Sequence, residues 1–487
     1  VSRWLARPSL PYKAAAVSIF VLLPVICGGL LTDDVLHRLI VEGRFGSAVG
    51  RFDLFDFVNG SERQRANAAE LGLYPWWVGA QVQISYWRPV VAVTHFIDYS
   101  CWPRWAWLMH LESLAWYGFV VVAAGAFYRR FVALPWVAGL ATMLYAFDHS
   151  HSVPATWIAN RGALMSAVFG ILSLLAHDRW RRRRRRYDGV LAAALFALAP
   201  LCAESGIAIA GYLVAYEMCL DGGRPLGRVL ALMPYGVVTT LWRVVYGMLG
   251  YGVRHSGVAA DPVIETGRFI GRAVQSIPLL IASEVFAIPA DLLGSSPRLV
   301  IGGALLATAL LAFITYALSP AICRNVAARF FFLGALLSAI PMGGVFPNER
   351  YLFWAGLGVI GVIATSFEAV LAKQIVSRFG PWTVGTCVFL HGVLSPIVFP
   401  FRGAPFAMLQ DSCVRVAETV PDGTYVPDKT VAILNTPFEL MATLLPVMRI
   451  ARHEPIPKHL YVLYGGLEDI SVTRPDAQTL DVTSRNG

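Results

Sequence analysis

Two adjacent carboxylates, Asp33 and Asp34, follow directly on the first long apolar run of the chain. Ionised acids beside hydrocarbon are costly, so a pair there needs water, a cationic partner or a chemical task. One such task is to take a proton from an acceptor group, for which a positioned base contributes roughly 10²–10⁴ in rate. Further polar residues recur at the ends of later apolar runs: Arg88, His95, Asp148-His149-Ser150-His151, Asn160-Arg161, Glu204 and Glu349-Arg350. Arginine suits phosphate, because its planar fork makes paired, charge-assisted hydrogen bonds. Together these residues describe proton transfer by carboxylates beside an anionic group held by arginines. Singly, each has a structural explanation. The acids can cap a helix, Arg161 can snorkel, His149 or His151 can be satisfied in a loop, and Glu349-Arg350 can be a local ion pair.

The elements that must position these side chains are membrane helices. Of 487 residues, 56% are hydrophobic and 15% charged, and mean hydropathy is +0.57. A soluble chain would carry about a quarter charged residues. Apolar runs of membrane-spanning length recur, so the fold class expected is an all-α polytopic membrane protein. The net charge of +9 does not point to nucleic acid, because it gathers between spans, above all at Arg179 and in the run 181–186. Such a run is a cytoplasmic anchor whose partners are membrane lipids with anionic headgroups.

Eleven spans are expected. The first lies near 14–31, the second near 106–127, and a third ends near Phe147. A fourth runs from Gly162 to the arginine run, a fifth and sixth form a hairpin over 190–220, and a seventh ends near Leu249. The last four fall near 299–318, 330–346, 352–371 and 384–399. Arg3, Arg7 and Lys13 then place the N-terminus in the cytoplasm, with Arg129-Arg130, Arg224, Arg228, Arg324, Arg329, Lys373 and Arg378 on the same side. The C-terminus falls outside, which for a bacterial inner membrane means the periplasm. The stretch 277–293 contains Glu284 and two prolines, and is expected to be interfacial or re-entrant. No cleavable signal peptide is evident.

The transmembrane domain is therefore expected over 1–400, with long outer loops at 32–105 and 250–298. In the first loop Val35, Leu36, Leu39 and Ile40 form a stripe at helical spacing, so a short surface helix starts at the acidic pair with Asp33 or Asp34 as its N-cap. Ser61-Glu62-Arg63-Gln64 is a capping-box pattern, and Tyr74-Pro75-Trp76-Trp77 and Trp102-Pro103-Arg104-Trp105 suit an interfacial belt. Residues 401–487 read as a small extramembrane α/β lobe. Strands are expected at 429–434, 459–464 and 470–473, with a helix opening at Asn435-Thr436-Pro437. Seven scattered cysteines without a CxxC argue against a metal site or disulfide framework, although Cys101 and Cys413 could meet outside the cytoplasm.

The order of these segments resembles the GT-C superfamily of integral-membrane glycosyltransferases, and within it the transmembrane O-mannosyltransferases that carry tetratricopeptide repeats. An acidic pair follows their first span, as Asp33-Asp34 does here. Their YRPL-like element resembles Tyr86-Trp87-Arg88-Pro89-Val90, and a histidine in their second span resembles His110. Their long histidine- and arginine-containing segment resembles the stretch from His149 to Ser166, here without its inner Glu. A K-E-x-G element resembles Ala203-Glu204-Ser205-Gly206, with Ala in place of Lys, and an E-R-Y element resembles Glu349-Arg350-Tyr351. The resemblance covers roughly residues 14–372; the tail departs from the helical repeats of that family.

The resemblance implies a sugar donor linked to a polyprenyl phosphate and an acceptor hydroxyl on the non-cytoplasmic face, with direct displacement inverting the anomeric centre. Asp33 and Asp34 would be catalytic. Arg88, His149, His151, Arg161, Glu204, Glu349 and Arg350 would bind donor phosphate or substrate. The acceptor is left open among protein, lipid and glycan. No cofactor is expected; a divalent metal at the acidic pair is conceivable but not expected where arginines neutralise the phosphate. The alternative is a transporter or structural subunit that handles a lipid-linked sugar.

Overall fold

The computed structural model describes residues 2–45, 50–70, 72–74, 78–290, 297–375, 379–420, 428–436, 439–466 and 469–484. Pro75, Trp76 and Trp77 of the first aromatic cluster, Arg378, and Pro437 at the expected helix start lie outside them. The chain opens with α1 (Ser2–Leu5) and α2 (Leu10–Leu22), then the outer helices α3 (Asp33–Val41), α4 (Glu62–Glu70) and α5 (Pro89–Cys101). There follow α6 (Ala106–Phe131), α7 (Pro135–Ala146), α8 (Ser152–Thr156), α9 (Arg161–Arg183), α10 (Arg186–Cys202) and α11 (Ile209–Cys219). Next come α12 (Pro225–Met248), α13 (Thr266–Phe286), α14 (Pro297–Arg324), α15 (Val326–Ala339) and α16 (Leu352–Leu371). The helical elements end with α17 (Gly380–Phe389), α18 (Ser395–Val398), α19 (Ala404–Glu418) and α20 (Glu439–Ala451).

Among the described residues nine helical segments are long and apolar enough to cross a membrane. The chain is a polytopic helical membrane protein. Three expected spans are shorter single helices: α7 with 12 residues, α10 with 17 and α11 with 11. The segment expected to be interfacial is instead α13, a helix of 21 residues that qualifies as a span. Glu284 does not prevent this, because its side chain is fully buried against Asp148 and His391 rather than facing lipid.

α16 is the hub of the membrane core, and every residue from Leu352 to Ser366 is buried. Tyr128, Tyr145 and Tyr212 come from three different helices and donate to its carbonyls at Leu357, Phe353 and Trp354, at 2.9, 3.1 and 2.6 Å. Each pairs a phenol that would otherwise be orphaned in apolar surroundings. At the arginine-rich ends, Arg181 is buried between Glu217 and Asp221, both at 2.9 Å, and Arg130 and Arg182 grip Asp178.

The outer elements are tied together by a three-stranded antiparallel sheet of β1 (Asp56–Val58), β2 (Gln83–Ser85) and β3 (Gly252–Arg254). Ile84 opposite Val253 joins the first outer loop to the second. In the C-terminal lobe β4 (Thr430–Ile433), α20, β5 (His459–Val462) and β6 (Ile470–Thr473) fall where expected, whereas α19 and β7 (Asp481–Ser484) were not foreseen; β5 pairs parallel to β4, and β6 and β7 form an antiparallel hairpin. Its helices dock on α3, where Val35 and Leu39 share an apolar core with Cys413, Ala417, Leu444, Leu445 and Met448. Cys101 is exposed, Cys413 is buried in this core, and both are free thiols, so the expected pairing is not formed.

Candidate active site

Neither acid of the opening pair caps α3. Thr32 holds the N-cap position with φ 35° and ψ −103°, an uncommon backbone for a β-branched residue, and makes no side-chain cap. Its N–H donates to Oε1 of Gln410 at 2.7 Å, which ties it to the C-terminal lobe. The acids fill the first turn, where they suit the helix dipole, and they point different ways. Asp34 is fully buried and accepts the N–H of Leu31 at 2.9 Å and of Ala159 at 2.6 Å, one on each oxygen. Burial pushes its carboxyl up to about 8 against those two hydrogen bonds. Asp33 faces a cavity of about 1730 Å³. Burial raises its carboxyl to about 6, and the positive charges of Arg350 and Arg88 oppose that rise.

Three more turns aim charge into this cavity. Pro89 starts α5, and Arg88 sits at the helix boundary with φ −125° and ψ 60°, its side chain lining the cavity. Its guanidinium lies over the rings of Tyr86 and Phe55, at 4.5 and 4.9 Å, and binds Oε2 of Glu204 through Nη2 at 2.7 Å and Nε at 2.8 Å. Glu204 opens the 3₁₀ turn Glu204–Ala208. That turn closes only with glycine at 206, where an added Cβ would lie 2.4 Å from the Ala199 backbone. Arg350 lies in the 3₁₀ turn Glu349–Tyr351, capped by the Asn348 side chain, which accepts the Arg350 N–H at 3.1 Å. It packs on Tyr351 and Phe346, at 5.1 and 5.9 Å, and among the described residues no carboxylate pairs with it. Its Nε is buried without a hydrogen-bond partner.

Glu349 repeats the division seen at Asp34. It is buried away from the cavity, and holds Arg402 through both oxygens, with His149 Nε2 at 3.8 Å. His149 is buried between Asp148 and Ser395, while His151 stacks on Phe353 at 4.3 Å and 2°. Arg161 is fully buried and saturated: Asp98 at 2.6 Å, Glu112 at 2.9 Å, the Met109 carbonyl at 2.9 Å and Ser113 at 3.1 Å. His95 is buried beside His37, with ring centroids 5.6 Å apart. Thus Asp33, Arg88, Glu204 and Arg350 line one cavity, and Asp34, His149, His151, Arg161 and Glu349 do not. The last five belong to the packing that holds the cavity walls.

Three charged lining residues, Asp56, Arg243 and Asp261, escaped the sequence reading. Arg243 of α12 reaches the cavity and pairs with Asp261 at 2.7 Å. An arginine inside an apolar span was a signal in its own right. Asp261 gave none, because it acts through the Asx turn it makes with the N–H groups of Val263 and Ile264, at 2.8 and 3.0 Å. Outside the cavity, Asp148, Glu284 and His391 are buried with potential ligand atoms within 4.8 Å of one another. Among the described residues this is the group able to hold a cation.

No family model matches the chain, and no curated protein matches it. Among solved structures it is similar to the oligosaccharyltransferase of Archaeoglobus fulgidus. The crystal structure of that enzyme with a tethered acceptor peptide gives a TM-score of 0.48 at 12% identity, covering 94% of this chain and 64% of that one. For the same organism's oligosaccharyltransferase AglB with an inhibitory peptide and a dolichol-phosphate, the values are 0.49, 14%, 93% and 64%. The chain thus spans just under two thirds of the structures it matches. Likeness at this level fixes neither substrate nor residue roles.

Proposed function

We propose that this protein is a glycosyltransferase of the GT-C type, moving a sugar from a polyprenyl-phosphate donor to an acceptor hydroxyl on the non-cytoplasmic face of a bacterial inner membrane. The observation that carries the reading is one cavity that joins a raised carboxyl, an arginine without a carboxylate partner and apolar walls between helices. The donor phosphate sits at Arg350, which has no carboxylate in an ion pair with it among the described residues; Arg88, already neutralised by Glu204, fixes the aromatic wall beside it. The isoprenoid chain runs along Gly211 and Val214 of α11 and Leu337 of α15.

Asp33 takes the proton of the acceptor hydroxyl as its oxygen bonds to the anomeric carbon. The bond from that carbon to the phosphate oxygen breaks with its electron pair, and the polyprenyl phosphate leaves as an anion held by arginine. No acid is needed for a leaving group already ionised. One displacement inverts the anomeric centre. The test is purified protein in lipid nanodiscs with a radiolabelled polyprenyl-phosphate sugar. Release of polyprenyl phosphate coupled to labelled acceptor, lost in Asp33→Asn, is expected. Passage of intact donor across the bilayer without chemistry would instead make the protein a transporter.

A further inference from the structure

The cavity is larger than one substrate needs: about 1730 Å³, against roughly 300–1,000 Å³ for a typical ligand site. Its walls divide. One set of lining residues comes from α11, α12 and α15 of the membrane part and from the loop 253–263. A second set comes from α3, the segment 45–86 and the C-terminal lobe, and this second set is the outer arm. This outer arm begins at the catalytic acid itself, because Asp33, Leu36 and Ile40 stand at positions i, i+3 and i+7 and all line the cavity. Phe45, Leu73, Leu444 and Val447 complete it.

Apolar side chains dominate this arm, and its uncharged polar side chains are Thr32, Gln64, Tyr74 and Thr443. Gln64 accepts the Asn59 N–H at 2.7 Å, and the Tyr74 hydroxyl donates to the Phe57 carbonyl. Among the described residues Asp56 is the one carboxylate here besides Asp33, and burial raises its carboxyl too. A peptide threaded through the arm would bring an N–H and a C=O per residue with few partners, and a glycan would bring hydroxyls. Hydrocarbon has no such requirement, and Leu36, Ile40, Leu444 and Val447 are suited to it.

Resting on the proposed glycosyl transfer at Asp33, we infer that the acceptor is a hydroxyl-bearing lipid whose apolar chain lies in the outer arm between α3 and α20. The two substrates then approach the acid along different sets of lining residues, each with its own hydrocarbon channel.

The test uses the full chain in nanodiscs with alkyl glycosides of graded chain length as acceptors, below their micelle concentrations. KM is expected to fall roughly threefold to fourfold per added methylene until the arm is full, from the transfer free energy of a buried methylene. Leu36→Gln should raise KM and flatten its dependence on chain length, so that long chains lose more than short ones. A KM independent of chain length, or better turnover of a Ser/Thr peptide or a free oligosaccharide, overturns the inference. A second readout does not depend on turnover. A long-chain glycoside carrying a diazirine at its tail should crosslink to α3 and α20; crosslinks confined to α11 and α15 overturn it. If no acceptor receives sugar, the glycosyl-transfer reading fails, and the crosslinks still decide what the arm holds.

Discussion

At the scale of single residues, the division within adjacent pairs decides what each substitution does. Asp33→Asn removes the proposed base while an amide still suits the first turn. Turnover should drop by roughly 10²–10⁴ with the melting temperature nearly unchanged. Because only the ionised form accepts a proton and the carboxyl sits near 6, turnover of the unmodified protein should rise about tenfold per pH unit below about 6 and level off above it. A flat profile through that range would remove Asp33 from the role. Arg350→Gln should weaken donor binding by roughly tenfold to a hundredfold, since a hydrogen bond to a charged group contributes about 1.5–3 kcal/mol. Arg161→Gln should instead lower stability, because it strands Asp98 in a buried site, and titration with the lipid phosphate separates the two outcomes. The residue types that do chemistry were legible in the sequence; which of two neighbours faces the cavity was not. What turns Asp34 and Glu349 away from the cavity is the partners that distant segments bring, such as the Ala159 N–H and Arg402.

At the scale of elements, α3 is positioned by contacts that no local pattern reports. The apolar stripe was visible as Val35, Leu36, Leu39 and Ile40, and the helix is there. Its start was misassigned because the cap depends on Thr32, held in a left-handed backbone by Gln410 rather than by its own side chain. Asp34→Asn should therefore cost about 1–3 kcal/mol, since an amide presents only one acceptor to the two buried N–H groups of Leu31 and Ala159. Thermal unfolding of the purified variant checks this, and an unchanged midpoint would mean that α3 is fixed by the C-terminal lobe alone. α13 was missed as a span because Glu284 reads as a charge facing lipid, and only the fold shows it turned toward Asp148 and His391. The positions of β4, β5 and β6 in the C-terminal lobe were legible in the sequence, while β7 and the pairing of the strands were not. The sheet uniting β1, β2 and β3 was not, because its pairings join loops far apart in the chain.

At the scale of the whole molecule, the arginine run also makes buried packing contacts. Arg181 is buried between Glu217 and Asp221, so Arg181→Gln alone should destabilise the packing of α9 against α11, whereas Arg183→Gln, at an exposed position, should not. Detergent-resistant yield of the two variants distinguishes them; equal yields would return the run to a purely topological role. The membrane class was legible because hydropathy is a property of composition, while the walls of the cavity come from helices whose mutual packing composition does not encode. The bond from Thr32 to Gln410 spans 378 positions and has a consequence in time. A ribosome adding roughly 5–20 residues per second needs about 20–75 s to cover that distance. Throughout that interval the emerging chain already displays Asp33 but lacks the wall that Leu444 and Val447 supply. Asp33 is thus among the first parts of the cavity to be made, and it waits for the last.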